Sequence, residues 1–552
     1  MMQEENKRPD EEQFSSADAV EDALSAFEQV SAPQKFIVKK RMNANTRLLI
    51  IVTAIVAVLA VLLAVLLPLL SEGTGDSNVT SSGATSATEQ VYPLYDRSED
   101  KTDEEIVQSV KIKNKDDEYT IRYNKTDKVY QLDGYADLML SETGVDSLVN
   151  NATTLNGYDK VKTVEKLADF GLEKPSITVT VTYYDNTSVT LLIGNETPDK
   201  NGYYAYLQGK DEVVMVNADS ISYFQLKKGQ YLERNLIAAP AVKVDDANGN
   251  VVLYELTVKG IDKEPLSLRQ AATSDGEEYS YSTFVITKPY KRMVSETVSS
   301  SLSAFTYLVA DEGVVLHPTA ADKAKYGFND PYAVIDITLA VQTAEEKTES
   351  DTDTNSNEFI YYNSATSKIT IGSKDANGNY YVMVNDNNAI YLVSSSSLSV
   401  IAERTYANTI SELLFLKTIV DIKQISISTD GKTYNFMLTH DESKEETDEQ
   451  LTVMCDGQKL DTADFRKLYS QMMGISRYGE TEKKPNGQPL HKIVLTENSG
   501  ETFLTIEVFE YSSSLYTVRT DEGELFTIKA SDINSYITIV KDYVAGKPVP
   551  EI

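Results

Sequence analysis

Ile177, Val179, Val181 and Tyr183 alternate with Thr178, Thr180 and Thr182, and the period of two resumes at Val189, Leu191 and Ile193. A strand apolar at every second position buries one face and wets the other, so these runs predict an antiparallel sheet packed on one side. Between such runs stand Asp185-Asn186, Asn201-Gly202, Asn248-Gly249 and Asn377-Gly378, pairs that tolerate positive φ and are expected at hairpin turns. Three other stretches have helical spacing: Val145, Leu148, Ala152 and Leu155; Val298, Leu302, Phe305 and Leu308; Phe465, Leu468, Met472 and Ile475. Apolar side chains at three- and four-residue steps make a stripe that needs a surface to cover. Each stripe follows a short strand-like run: Val129–Leu132, Phe284–Pro289 and Leu451–Cys455.

The same order of elements recurs. Phe170–Gly194 and Tyr326–Gly372 share a beginning and an end, with Pro175 and Pro331 156 residues apart but Gly194 and Gly372 178 apart. The second copy therefore holds an insertion of about 22 residues, including the acidic run Glu345–Glu358. Tyr203–Leu207 matches Tyr380–Val384, Val213–Ile221 matches Ile390–Leu398, and a weaker third copy stands at Leu515–Ile533. A period above 100 residues indicates duplicated domains rather than a solenoid of 20–50-residue repeats. The fold class is α+β: three related domains at 105–235, 236–410 and 411–552, each an antiparallel sheet with one helix against it.

Ahead of them, Leu48–Leu70 is 23 residues without a charge. At 1.5 Å per residue it reaches about 34 Å, enough to span a hydrocarbon core of roughly 30 Å with some tilt. The 47 preceding residues set it apart from a cleaved signal peptide. Lys35, Lys39, Lys40, Arg41 and Arg47 flank it with no acid from Lys35 to Arg47, which places the N-terminus in the cytoplasm. Residues 71–104 begin Ser/Thr/Gly-rich and read as a flexible stalk. The expected protein is a single-pass cell-membrane protein with residues 1–47 inside and the repeats outside. In the tail, Phe14, Ala17, Val20, Leu24, Phe27 and Val30 fall at helical steps among acids. That pattern fits an amphipathic helix docking in a protein groove through Phe14, Val20, Leu24 and Phe27; a disordered tail with accidental periodicity is the other reading.

Charge and chemistry narrow the function. The chain carries 52 Lys+Arg against 84 Asp+Glu, a net of −32, and all but two of those units belong to the portion after Arg47. Such a surface repels nucleic acid and anionic lipid. A single cysteine, Cys455, rules out an intrachain disulfide and a cysteine-based zinc site. The three histidines, His317, His440 and His491, are far apart, and nucleophile-elbow, P-loop, H-E-x-x-H and dinucleotide fingerprints are missing. Asp351, Asp353 and Asn355 start like a calcium loop, but Ser356 and Tyr362 stand where it needs Gly and Glu. No cofactor and no metal is expected. Tyrosine is plentiful at 34, and its ring can stack on sugars or peptides.

At FVITKP, FGLEKPSITVTVTYYDNTSVTLLIG and NGYYAYLQGKDEVVMVNADSI, behind an N-terminal membrane helix, the chain resembles the family catalogued as domain of unknown function 4340. The likeness is strong over Leu167–Phe224, moderate over Phe284–Ile401 and weak near the C-terminus. It implies a bacterial envelope protein, of a kind often encoded beside ABC-transporter components associated with gliding motility, and hence a membrane-anchored transporter accessory. It implies no active-site residues, and the long cytoplasmic tail departs from its pattern. The expectation is a non-enzymatic accessory or scaffold. The alternative is a surface module that binds carbohydrate or peptide on tyrosine-bearing sheet faces, and a hydrolase built on clustered carboxylates is the third class.

Overall fold

The period-two runs form three large antiparallel sheets in the computed structural model, which describes residues 92–97 and 107–551 except 245, 247, 277–278, 280–281, 345–358, 386, 442 and 445–449. Strand β1 (Tyr92–Asp96) precedes the first sheet. That sheet contains β2 (Val107–Lys113), β3 (Glu118–Asn124) and β4 (Val129–Leu132), and helix α1 (Glu142–Thr153) follows. Next come β5 (Thr154–Gly157), which pairs with β1, then β6 (Asp159–Lys160), β7 (Ile177–Tyr183), β8 (Ser188–Glu196), β9 (Gly202–Leu207), β10 (Val213–Asn217) and α2 (Ala218–Gln225).

The second sheet has β11 (Asn250–Lys259), β12 (Leu266–Gln270), β13 (Phe284–Lys288) and β14 (Arg292–Met293), then α3 (Glu296–Ser303), β15 (Glu312–Leu316) and α4 (Ala320–Lys325). It continues with β16 (Ala333–Ala344), β17 (Phe359–Lys374), β18 (Tyr380–Val384), β19 (Ala389–Val393), α5 (Ser395–Ala402) and α6 (Tyr406–Thr409). The third has β20 (Ile422–Thr429), β21 (Lys432–His440), β22 (Leu451–Cys455), β23 (Gln458–Leu460), α7 (Thr462–Met473), β24 (Arg477–Glu480), β25 (His491–Glu497), β26 (Thr502–Glu510), β27 (Leu515–Thr520), β28 (Leu525–Lys529) and α8 (Ala530–Val544).

One wiring plan serves all three. In the first sheet the order is β4-β3-β2-β7-β8-β9-β10-β6, and the other two repeat it with one extra edge strand, β14 or β23. Two meanders thus join through their first strands, and the chain crosses behind a helix to pair β6, β15 or β24 with the last strand. Along β7 the odd positions from Ile177 to Tyr183 are buried and the intervening threonines are half-buried, as the alternation requires.

Each sheet carries two helices side by side where the residue pattern predicts one. The missed partners are α2, α5 and α8. The first two have only eight residues, so their buried sets are short: Ile221 and Phe224, then Leu398, Ile401 and Ala402. About two turns give too few positions for the period to stand out. The expected helices are also shorter than their stripes. Leu155, Phe305, Leu308 and Ile475 lie past the helix ends yet are buried.

Turn chemistry places Asn186 (φ 67) between β7 and β8 and Gly378 (φ 89) between β17 and β18. Asn248-Gly249 differs from expectation. It leads into β11 from a loop, and the neighbouring Asp246 carboxylate accepts the Tyr362 hydroxyl proton at 2.7 Å from across the sheet. The insertion lengthens one hairpin, so β16 and β17 run 12 and 16 residues against 7 and 9 for β7 and β8. Among the described residues no helix is long and apolar enough to cross a membrane. The expected flexible stalk, 71–104, is ordered in part, because its residues Tyr92–Asp96 form β1 and pair with β5. The run 48–70, the stalk apart from 92–97, the acidic stretch 345–358 and the tail positions Phe14, Val20, Leu24 and Phe27 lie outside the described residues.

Candidate functional site: the crevice between the second and third repeats

Each repeat hands the chain on through a short linker bridged twice. Leu232 pairs with Leu140 of its own repeat, and Asn235, three residues on, pairs with Val309 of the next. Ile410 and Leu413, with the same offset, pair with Val294 and Ser476. The two junctions share this clamp but are filled differently.

The first junction is apolar and tight. Tyr135, Leu140 and Leu316 pack against both adjoining cores. Gly229 approaches Gly313 so closely that a Cβ on Gly229 would lie 1.9 Å from the Gly313 carbonyl oxygen. At its rim His317, with φ 53, sets Nε2 2.7 Å from Asp137 Oδ1 and packs at a tilt against the Tyr135 ring, 4.9 Å between centroids. The Asn388 amide donates to the other Asp137 oxygen, and these two hydrogen bonds hold the Asp137 carboxyl below its ordinary range.

The second junction is polar and open. Among the described residues none is common to the second and third cores. In their place stands Glu524, 2 % exposed, in the turn from β27 to β28. Arg292 of β14 donates to it from Nε at 2.9 Å and Nη2 at 2.7 Å. Arg477 of β24 donates from Nη1 at 2.9 Å, and the Tyr406 hydroxyl adds a third donor. Arg292 also reaches Glu522 at 2.7 Å. Burial works against the Arg292 charge, but Glu524, Tyr406 and Glu522 more than offset it and its pKa rises. Burial, reinforced by Glu524, likewise raises the Tyr406 hydroxyl. Burial and the nearby Asp262 raise Glu480.

Beside this network lies a crevice of about 270 Å³. Its apolar wall is Met293, Leu414, Leu416, Phe503 and Leu504, and its charged rim includes Asp275, Lys291, Arg292, Asp521 and Glu522. Asp275 is already spoken for: Arg269 grips it with two bonds of 2.7 Å and Lys291 adds a third contact at 3.2 Å. The Arg269 bonds come first in holding the Asp275 carboxyl far below its ordinary range. A separate space of about 330 Å³ lies along Leu416–Ile419 and α7, and a third of about 130 Å³ sits under Ala407, Ser411 and Glu480.

Of the sequence-derived candidates that the structure describes, His317, His440, His491 and Cys455, none lines the crevice. His440 Nε2 rests 3.3 Å from the Ile422 carbonyl, and His491 Nδ1 lies 3.0 Å from Thr429 Oγ1 inside the third sheet. Burial lowers the His491 pKa. Cys455 is buried in β22, and burial raises its thiol. Among the described residues no three His, Cys, Asp or Glu side chains are grouped to hold a metal ion. A legible signal for Glu524 did exist. Tyr203–Ile221 and Leu515–Ile533 align without a gap, setting Glu524 opposite Glu212. Glu212 pairs with Lys160 on β6 at 2.7 Å, just as Glu524 pairs with Arg477 on the equivalent edge strand.

Fold and junctions together define a protein of repeated antiparallel-sheet domains, in which one wiring plan is used three times. The model of the family described as "Domain of unknown function (DUF4340)" matches residues 131–331 and again 285–489, together 359 of the 552 residues, and the chain belongs to that family. Each match starts in the third or fourth strand of one repeat and ends before the second meander of the next, so each spans a junction. No curated protein and no solved structure matches the chain.

Proposed function

We propose that the protein is a non-enzymatic, single-pass membrane protein, anchored through residues 48–70, whose outer repeats act as an accessory or scaffold of an ABC-transporter-type envelope complex. The uncharged run and its basic flank support the anchor. The resemblance noted above, with its association with gliding-motility-type transporters, supports the setting. The observation that carries the reading is the crevice between the second and third repeats. Its floor is apolar, and most of its charged groups are tied to one another. Such a joint between two sheets suits holding a partner. Purification of the full chain from native membranes in mild detergent, with mass spectrometry of what accompanies it, tests this. Recovery of an ATPase and a permease is expected, and recovery without either, while other membrane complexes survive, contradicts it.

The second reading is a surface module for carbohydrate or peptide. It draws on two aromatic pairs at equivalent places in the first two repeats, Phe170 with Tyr204 at 4.9 Å and Tyr326 with Tyr381 at 4.5 Å. A glycan array without hits would weigh against it.

A further inference from the structure

We infer that the crevice takes an extended peptide segment of a partner protein, with one apolar side chain in the cavity and a neighbouring Lys or Arg at the acidic rim. The inference deepens the binding role proposed above by naming what is bound.

Size comes first. Small-molecule sites typically measure roughly 300–1,000 Å³, so about 270 Å³ is small for them. A dry cavity of roughly 150 Å³ already accepts benzene, so the space suits one Leu- or Phe-sized group. Met293, Leu414, Leu416, Phe503 and Leu504 give that group an apolar wall.

Charge sets the neighbour. The two cations on the rim are committed, Lys291 to Asp275 and Arg292 to Glu522 and Glu524. Asp521 is exposed and enters no ion pair among the described residues. Asp521 is thus the acid at the mouth that no described cation pairs with, on a chain with a net charge of −32. An anionic ligand or a second copy of this chain is repelled, and a cation is drawn in.

Backbone supplies the third argument. Leu413 is held by its bridge to Ser476, and Glu412 accepts from the Arg477 N–H. Beyond it, no backbone hydrogen bond ties Leu414, Phe415 or Leu416 among the described residues. An open stretch beside a cavity favours a ligand that brings its own main-chain donors and acceptors, as in strand addition.

The test uses the full chain in detergent and four labelled, end-capped hexapeptides with Leu-Lys, Leu-Glu, Ser-Lys or Ser-Glu at the centre, read by fluorescence anisotropy. Leu-Lys should bind about tenfold tighter than any other. Asp521→Lys should weaken Leu-Lys about tenfold and narrow its lead over Leu-Glu. Leu504→Trp, which fills half-buried space, should erase the Leu-over-Ser preference and leave the Lys-over-Glu preference. Equal affinities, no binding at millimolar peptide, or indifference to Asp521→Lys each overturns the inference. Peptide discrimination without a co-purifying transporter would refute the transporter role and leave this site standing.

Discussion

Arg292 at the edge of the second sheet and Glu524 in the last hairpin of the third meet at 2.7 Å, with their side chains 18 % and 3 % exposed. They are 232 residues apart in the chain. Arg477, from the same repeat as Glu524, holds the same carboxylate. The carboxylate therefore keeps a partner within its own repeat if the junction loosens, and Arg477 depends on it while Arg292 also has Glu522.

That asymmetry predicts unequal mutants. Glu524→Leu strands the largely buried Arg477 and leaves Arg292 only Glu522, and breaking a buried pair in this way costs roughly 3–5 kcal/mol. Arg292→Ala leaves Glu524 with Arg477 and Tyr406, so about 1.5–3 kcal/mol is expected, the value of a hydrogen bond to a charged group. Urea unfolding followed by hydrogen exchange in the third repeat measures both. Equal losses would show that Arg477 does not compensate.

The first junction depends on the absence of a side chain. In Gly229→Ala the new Cβ would meet the Gly313 carbonyl at 1.9 Å, and backbone rather than a flexible side chain would have to move. A loss of about 2 kcal/mol or more follows from overpacking of this kind. Gly479 sits on the matching edge strand of the third repeat, where a Cβ finds only Thr527 Oγ1 at 3.7 Å. Gly479→Ala should stay within about 0.5 kcal/mol. Thermal unfolding of the two variants side by side checks the contrast.

His491 gives the third repeat a pH dependence. Burial lowers its pKa in the folded chain, so the folded state resists protonation more than the unfolded state, whose value is near 6.5. The associated stability is fully present above that value and is lost as pH falls through the lowered folded pKa. Urea midpoints of the third repeat should drop between about pH 7 and 5. His491→Gln should flatten that part of the profile, and an unchanged slope would place the dependence elsewhere.

Much of this architecture can be read from residue order, and particular residues show why. Phe170–Gly194 and Tyr326–Gly372 end on glycine because a Cβ on Gly194 or Gly372 would lie 2.1 Å from the Phe170 or Tyr326 carbonyl. The repeated motif is thus a packing constraint expressed twice. Strand alternation around Ile177 was legible because one face is wet, whereas α2 and α5 are too short to display a period. The crevice was hidden for another reason. Arg292 and Arg477 come from edge strands, and their meeting at Glu524 depends on how two repeats stack, which no local pattern encodes. Only the ungapped match of Glu524 to Glu212 pointed there.

The most direct test places a photo-crosslinking residue at Phe503, on the crevice wall, and at Tyr204, on the wet face of the first sheet, in the full chain within native membranes. Crosslinks from Phe503 to a transporter subunit, diminished by Asp521→Lys, are the predicted result. Crosslinks from Tyr204 alone, or from Phe503 without any effect of Asp521→Lys, would contradict the assignment of the crevice as the partner site.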